Sequence, residues 1–169
     1  MIVVYPLEEH GRVEEILGPG RTDPVEMWQG AAEQARADIR TNASDPFVWF
    51  NLGTSLTRQY QETGEQVQLR QAVAAFDQAR LIGLPSRMLW YQFTPYEAYL
   101  AAGRYADVLA LAEATLGSQG GRNVEETYVY QAQALAASGD EQAASAALQR
   151  AEQLHANNPV VRQALANRP

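Results

Sequence analysis

The chain has 169 residues, 46% of them hydrophobic and 20% charged, with a net charge of −7. That composition describes a globular chain long enough for a sizeable core, and its acidic balance argues against a nucleic-acid partner, which needs a basic face. Cysteine and lysine are absent and all 13 basic residues are Arg, so disulfides, thiolate metal sites, cysteine nucleophiles, Schiff-base lysines and phosphate-loop lysines are excluded together.

The longest apolar runs are only a few residues, which predicts no membrane insertion. The start, Met1-Ile2-Val3-Val4-Tyr5-Pro6, lacks the basic region of a signal peptide. Ile2–Tyr5 is β-branched and aromatic, so a short strand is expected there, with no partner strand elsewhere. A helix from about Leu7 to Leu17 follows, closed by Gly18-Pro19-Gly20. These features separate residues 1–22, a strand and a helix, from a helical domain over 23–169.

Asp23-Pro24-Val25-Glu26 is a helix start: a capping acid, proline in the first turn and an acid at the third position. That helix is expected to reach about Asn42. Asp45-Pro46 opens the next one in the same way, and its partner should run from Gln66 to Ile82. Ser86 begins a segment carrying Met88, Leu89 and Trp90. Inside it Pro95 removes a backbone donor, which predicts a kink or a restart. Further helices are expected at about 104–116, 123–138, 140–156 and 159–167. In the last, Val160, Val161, Ala164 and Leu165 share one face and Arg162, Gln163 and Arg168 the other, as suits a closing helix with a wet outer side.

A repeat underlies these helices. Trp49-x2-Leu52-Gly53 lies on one helix and Ala72-x3-Phe76-x2-Ala79 on the next. The second-helix column recurs as Val108, Ala112, Thr115 and as Ala144, Leu148, Ala151, with a constant step of 36 (108 − 72 = 144 − 108). A turn glycine recurs with it, Gly103 and Gly139. Small residues in such columns let helices approach closely, and large ones fill the space between layers. One helix pair cannot bury its own apolar face, so the pairs must stack. On these residues the chain resembles a tetratricopeptide-repeat protein over roughly 24–168. The resemblance implies an all-α right-handed solenoid of about three helix pairs with a capping helix, and a non-catalytic role in binding protein or peptide. The first unit departs from the pattern by about seven extra residues around Glu62-Thr63-Gly64-Glu65, expected as a longer turn or an extended helix end.

Ile2–Pro6, the Trp49 motif and Leu84-Pro85-x2-Met88-Leu89-Trp90-Tyr91-Gln92-Phe93 together resemble the C-terminal tetratricopeptide region of some bacterial papain-fold cysteine peptidases of the bacteriocin-processing type. That resemblance implies an accessory region whose catalytic domain lies outside this chain. A third reading is self-association, a weak homodimer through the N-terminal strand. The compartment follows the reading: cytoplasmic for a stand-alone scaffold, extracytoplasmic for the tail of an exported peptidase.

No residue set in the sequence supports chemistry, a metal or a cofactor. His10 and His155 stand apart, whereas a metal needs three or four converging ligands. Glu14-Glu15 and Glu125-Glu126 point about 100° apart on a helix and cannot share a reacting centre. Gly117-Ser118-Gln119-Gly120-Gly121 has neither the lysine nor the preceding strand of a phosphate loop.

What remains is a mixture of rings and amides on the first helices of successive pairs, which line the concave face in tetratricopeptide folds. Counting from Trp49, the inward positions are Phe50, Asn51, Thr54 and Arg58. The second unit adds Trp90, Phe93 and Glu97, and the third Glu126, Tyr130 and Gln133. Rings give contact area at low entropic cost and amides grip a peptide backbone. The competing expectation is that Trp90 and Phe93 are core between layers. Phe50 stands where carboxylate-gripping family members carry a lysine, which argues against capture of a peptide C-terminus.

Overall fold

The computed structural model describes residues 23–167, and those residues form eight α-helices and two short 3-10 helices, with no strand among them. The strand and helix expected within 1–22, His10, and the homodimer that would use the strand lie outside the described residues. The helices are α1 (Pro24–Thr41), α2 (Pro46–Thr63), α3 (Gln66–Ile82), α4 (Thr94–Ala101), α5 (Tyr105–Gly117), α6 (Glu125–Ala137), α7 (Glu141–His155) and α8 (Pro159–Ala166). No helix among them is long and apolar enough to cross a membrane.

Four of the eight helix starts are capped by side chains that accept orphan backbone N–H groups. Asp23 Oδ1 accepts from Val25 N and Asp45 Oδ1 from Phe47 N, each ahead of a first-turn proline. Asp140 caps α7 through Ala143 N and Asn158 caps α8 through Val160 N. The helix ends at the repeated turns are set by Gly103 and Gly139, at φ +69° and +88°. After each, the next residue's N–H reaches back to a carbonyl inside the helix, Arg104 to Tyr99 O and Asp140 to Leu135 O. This closure needs a left-handed residue, which a glycine supplies without steric cost.

The chain divides into two compact units after Leu84, where the sequence pattern predicts one repeat domain over residues 23–169. In the first unit, α2 packs against both α1 and α3. Its core joins Ala32 and Ala35 of α1 to Leu52 and Leu56 of α2 and to Ala72 and Ala75 of α3. Gly53 permits the closest approach: a Cβ there would lie 2.6 Å from Phe76 Cε1. Phe76 in turn meets Phe50 edge to face, with ring centroids 5.6 Å apart. The extra residues of this unit extend α2 to Thr63, where Gly64 at φ +72° ends it.

In the second unit the segment after Pro85 is a 3-10 helix, Ser86–Trp90, and the α-helix restarts at Thr94, one residue before Pro95. The proline occupies the first turn, where its missing donor costs nothing. Helix α6 packs on α5 and α7, and α8 lies across α6 and α7. The α6–α7 contact is built of alanines: Ala132, Ala144 and Ala147 are buried, with Leu135, Ala136 and Leu148 against them. The columns stepped by 36 residues all lie inside: Ala72, Phe76, Ala79, Val108, Ala112, Thr115, Ala144 and Ala151 are buried, and Leu148 is partly so.

Candidate functional site

The ten residues expected on an inward face do not share one environment. On α2, Phe50 and Thr54 are buried core residues, each 1% exposed. This corrects the expectation that they face an open groove: Phe50 fills the space beside Phe76, and Thr54 lies one turn further along the same helix face. Asn51 and Arg58, seven residues apart and so on another common face, remain partly exposed. Arg58 Nη1 donates to Gln61 Oε1 at 2.7 Å on the same helix.

Trp90 is likewise displaced from the expected face. It sits on the 3-10 helix, its indole Nε1 donating to Ser118 Oγ at 3.2 Å. The Arg87 guanidinium lies 5.3 Å from its ring. The ring packs so tightly on Gly120 that a Cβ there would stand 2.7 Å from Trp90 Cη2. Trp90 is therefore a buttress for the α5–α6 connection, and Pro95 is the cause: the restart it imposes separates Trp90 from the register of α4.

Three other expected residues do meet. Phe93, Tyr130 and Glu97 cluster where α4 approaches α6. Tyr130 stacks on Tyr96 at 5.1 Å and 11° and faces Phe93 at 5.7 Å and 29°, while its hydroxyl donates to Glu97 Oε1 at 3.5 Å. Tyr96 is the member that sequence reasoning missed. It is fully buried, its hydroxyl paired with Thr115 Oγ1 at 2.8 Å, and burial pushes its pKa up to about 12 against the hydroxyls of Thr115 and Thr127, which act to lower it. Its position directly before Glu97, in the first turn of the helix that restarts at Thr94, was the available signal.

Tyr130 and Gln133 also line an open cleft of about 530 Å³ between α6, α7 and α8. The floor is small and apolar, Ala132, Ala136, Ala144 and Leu148. The opposite wall comes from Val160, Gln163, Ala164 and Asn167. Amides thus stand on both sides of an apolar floor, with Glu141 and Ser145 at the start of α7 completing the rim.

Glu126 serves the neighbouring fastening and does not line this cleft. Asn158 Nδ2 donates to Glu126 Oε1 at 2.6 Å and to Glu125 Oε1 at 3.0 Å, while Asn158 Oδ1 caps α8. Glu125 Oε1 also pairs with His155 Nδ1 at 2.8 Å. Partial burial acts to raise the Glu125 pKa, but its own backbone N–H, His155 and Asn158 outweigh that and leave it lowered. Asn158 therefore holds the start of α8 against α6, and His155 ties the end of α7 to the same glutamate. The signal was the i, i+3 placement of His155 and the Asn158 cap, but only the fold brings residues thirty apart together.

Among the described residues no group of three or more His, Asp or Glu side chains is arranged to hold a metal. No family model, no curated protein and no solved structure matches the chain.

Proposed function

We propose that this chain is a non-catalytic interaction scaffold of the tetratricopeptide type that binds a protein segment in the cleft between α6, α7 and α8. The observation that carries the reading is the cleft itself: a small-residue floor flanked by Tyr130 and Gln133 on one side and Gln163 and Asn167 on the other. Its size falls within the usual range for a ligand site, roughly 300–1,000 Å³. Alanines leave room for a bulky apolar anchor, and amides both donate and accept, as a polypeptide partner requires. The repeat supports the same reading, because the residues that carry the tetratricopeptide resemblance at a step of 36 are buried between helices, Leu148 partly so.

The test is an array of immobilised peptides probed with the labelled chain. Peptides that bind wild type should bind the Gln133→Ala/Gln163→Ala double variant about tenfold more weakly. Both side chains are exposed, so this variant should fold normally. Undiminished binding by the double variant, or no binding by the wild-type chain, would refute the proposal.

A further inference from the structure

The cleft lies where one helix stops short. Helix α8 starts beside the first turn of α6, fixed there by Asn158 bonding Glu125 and Glu126. Its far end, Gln163 to Asn167, faces Tyr130 and Gln133 in the cleft. But α6 has 13 residues and α8 only 8. The cover is therefore about 7.5 Å shorter than the helix beneath it, at 1.5 Å per residue. The last turn of α6, at Ala136, and the first turns of α7, at Glu141 and Ser145, form the part of the cleft left open.

We propose, on the reading that this cleft binds a protein segment, that its occupant is a short basic amphipathic helix of a partner, which completes the helical layer begun by α8. Three features favour a helix over an extended strand. The floor carries i, i+4 pairs, Ala132 with Ala136 on α6 and Ala144 with Leu148 on α7, a spacing that receives the ridges of another helix. The cleft contains no sheet edge among the described residues, so an extended backbone would find only scattered side-chain amides for its N–H and C=O groups, whereas a helix satisfies its own. The floor is apolar with small side chains, which accepts large apolar residues from one face of a helix. Charge sets the sign: among the described residues Glu141 is the one charged side chain lining the cleft. A lysine or arginine at the end of the incoming helix meets Glu141 at the exposed rim.

A phage-displayed library of random peptides about fifteen residues long, near the length at which an isolated helix becomes marginal, tests this on the full chain. Selection is counter-screened against Ser145→Trp, which fills the cleft from an exposed position, with Gln133→Trp as the second plug should the first disturb the fold. The enriched sequences should carry apolar residues at i, i+3 or i+4 and i+7 with lysine or arginine beside them. A synthetic representative should gain helical circular dichroism on binding and lose about fivefold in affinity with Glu141→Lys. Enrichment of proline-bearing or acidic sequences that Ser145→Trp rejects would overturn the helix inference and leave the scaffold reading standing. A dimer of the chain itself that Ser145→Trp dissolves would name a second copy as occupant and overturn it too. No sequence distinguishing wild type from both plugged variants would overturn the inference and the scaffold reading together.

Discussion

Replacing Gly53 with alanine sets two effects of known sign against each other. Alanine is the better helix former by about 0.5–1 kcal/mol. The new methyl, however, would stand 2.6, 2.7 and 2.8 Å from Cε1, Cδ1 and Cζ of Phe76. The ring cannot swing aside freely, because Phe76 is fully buried and Phe50 holds it edge to face. Overpacking of a core costs about 1–3 kcal/mol, and contact with a rigid ring belongs in the upper part of that range. The net expectation is a loss of about 1–2 kcal/mol. In urea this lowers the unfolding midpoint by about 0.5–1 M with unchanged slope. Gly30 provides the control. It is an exposed position in α1, and a methyl added there would meet no atom within 4 Å, so Gly30→Ala should gain about 0.5–1 kcal/mol from helix propensity alone. Adding Phe76→Leu to Gly53→Ala should cost less than the two single changes together, since the smaller side chain removes the clash. A Gly53→Ala protein as stable as wild type, beside a stabilised Gly30→Ala, would refute the reasoning, because the ring would then have room that the packing denies it.

The remaining predictions concern the second unit, with Ala72 for contrast. Ala72→Leu has no free space in its alanine-rich cluster and should cost about 1–3 kcal/mol, whereas Ala144→Leu can extend into the cleft and should cost about 1 kcal/mol or less; equal denaturant midpoints would contradict this. Asn158→Ala removes the cap of α8 and its ties to Glu125 and Glu126, and should cost about 1–2 kcal/mol, with faster amide hydrogen exchange in α8 before the rest of the unit. Tyr96 has its folded pKa raised from 10.0 to about 12, so its contribution is fully present below pH 10 and is lost as the pH rises through 12. Alkaline titration should remove up to about 3 kcal/mol over that span, and Tyr96→Phe should flatten the profile. Glu125 has the opposite sign: its folded pKa is lowered, so its stabilisation holds at neutral pH and fades as the pH falls below the ordinary glutamate range. A thermal midpoint that declines with acid as steeply in Glu125→Gln as in wild type would sink that assignment.

Element positions were legible because each is written locally. Asp23-Pro24 and Asp45-Pro46 announce helix starts through a capping side chain and a proline that forgoes an orphan donor. Gly103 and Gly139 announce the ends, and the 36-residue columns foretell which faces are buried. The site was less legible because it depends on rotation about each helix axis. One residue of register turns a side chain by about 100°, enough to carry Phe50 and Thr54 from an open face into the core. The restart at Pro95 separated Trp90 from Phe93 and Glu97, although the spacing of the three suggests one helix face. The cleft had no sequence signature at all: it arises from the difference in length between α6 and α8, and a boundary is the least certain feature of a helix read from sequence.

The extensive helix contacts in each unit run between elements that are neighbours in the chain or one element apart. A kinetic consequence follows. Each native contact closes only a short loop, so little chain entropy is spent before the contact stabilises it. Such low contact order places folding in the microsecond-to-millisecond range. An α6–α7 hairpin can close on its alanine seam as soon as both helices exist, before any distant segment arrives. Helix α8 can dock only afterwards, because Asn158 needs the start of α6 already in place. The covering helix is thus the last to arrive and, by microscopic reversibility, the first to leave.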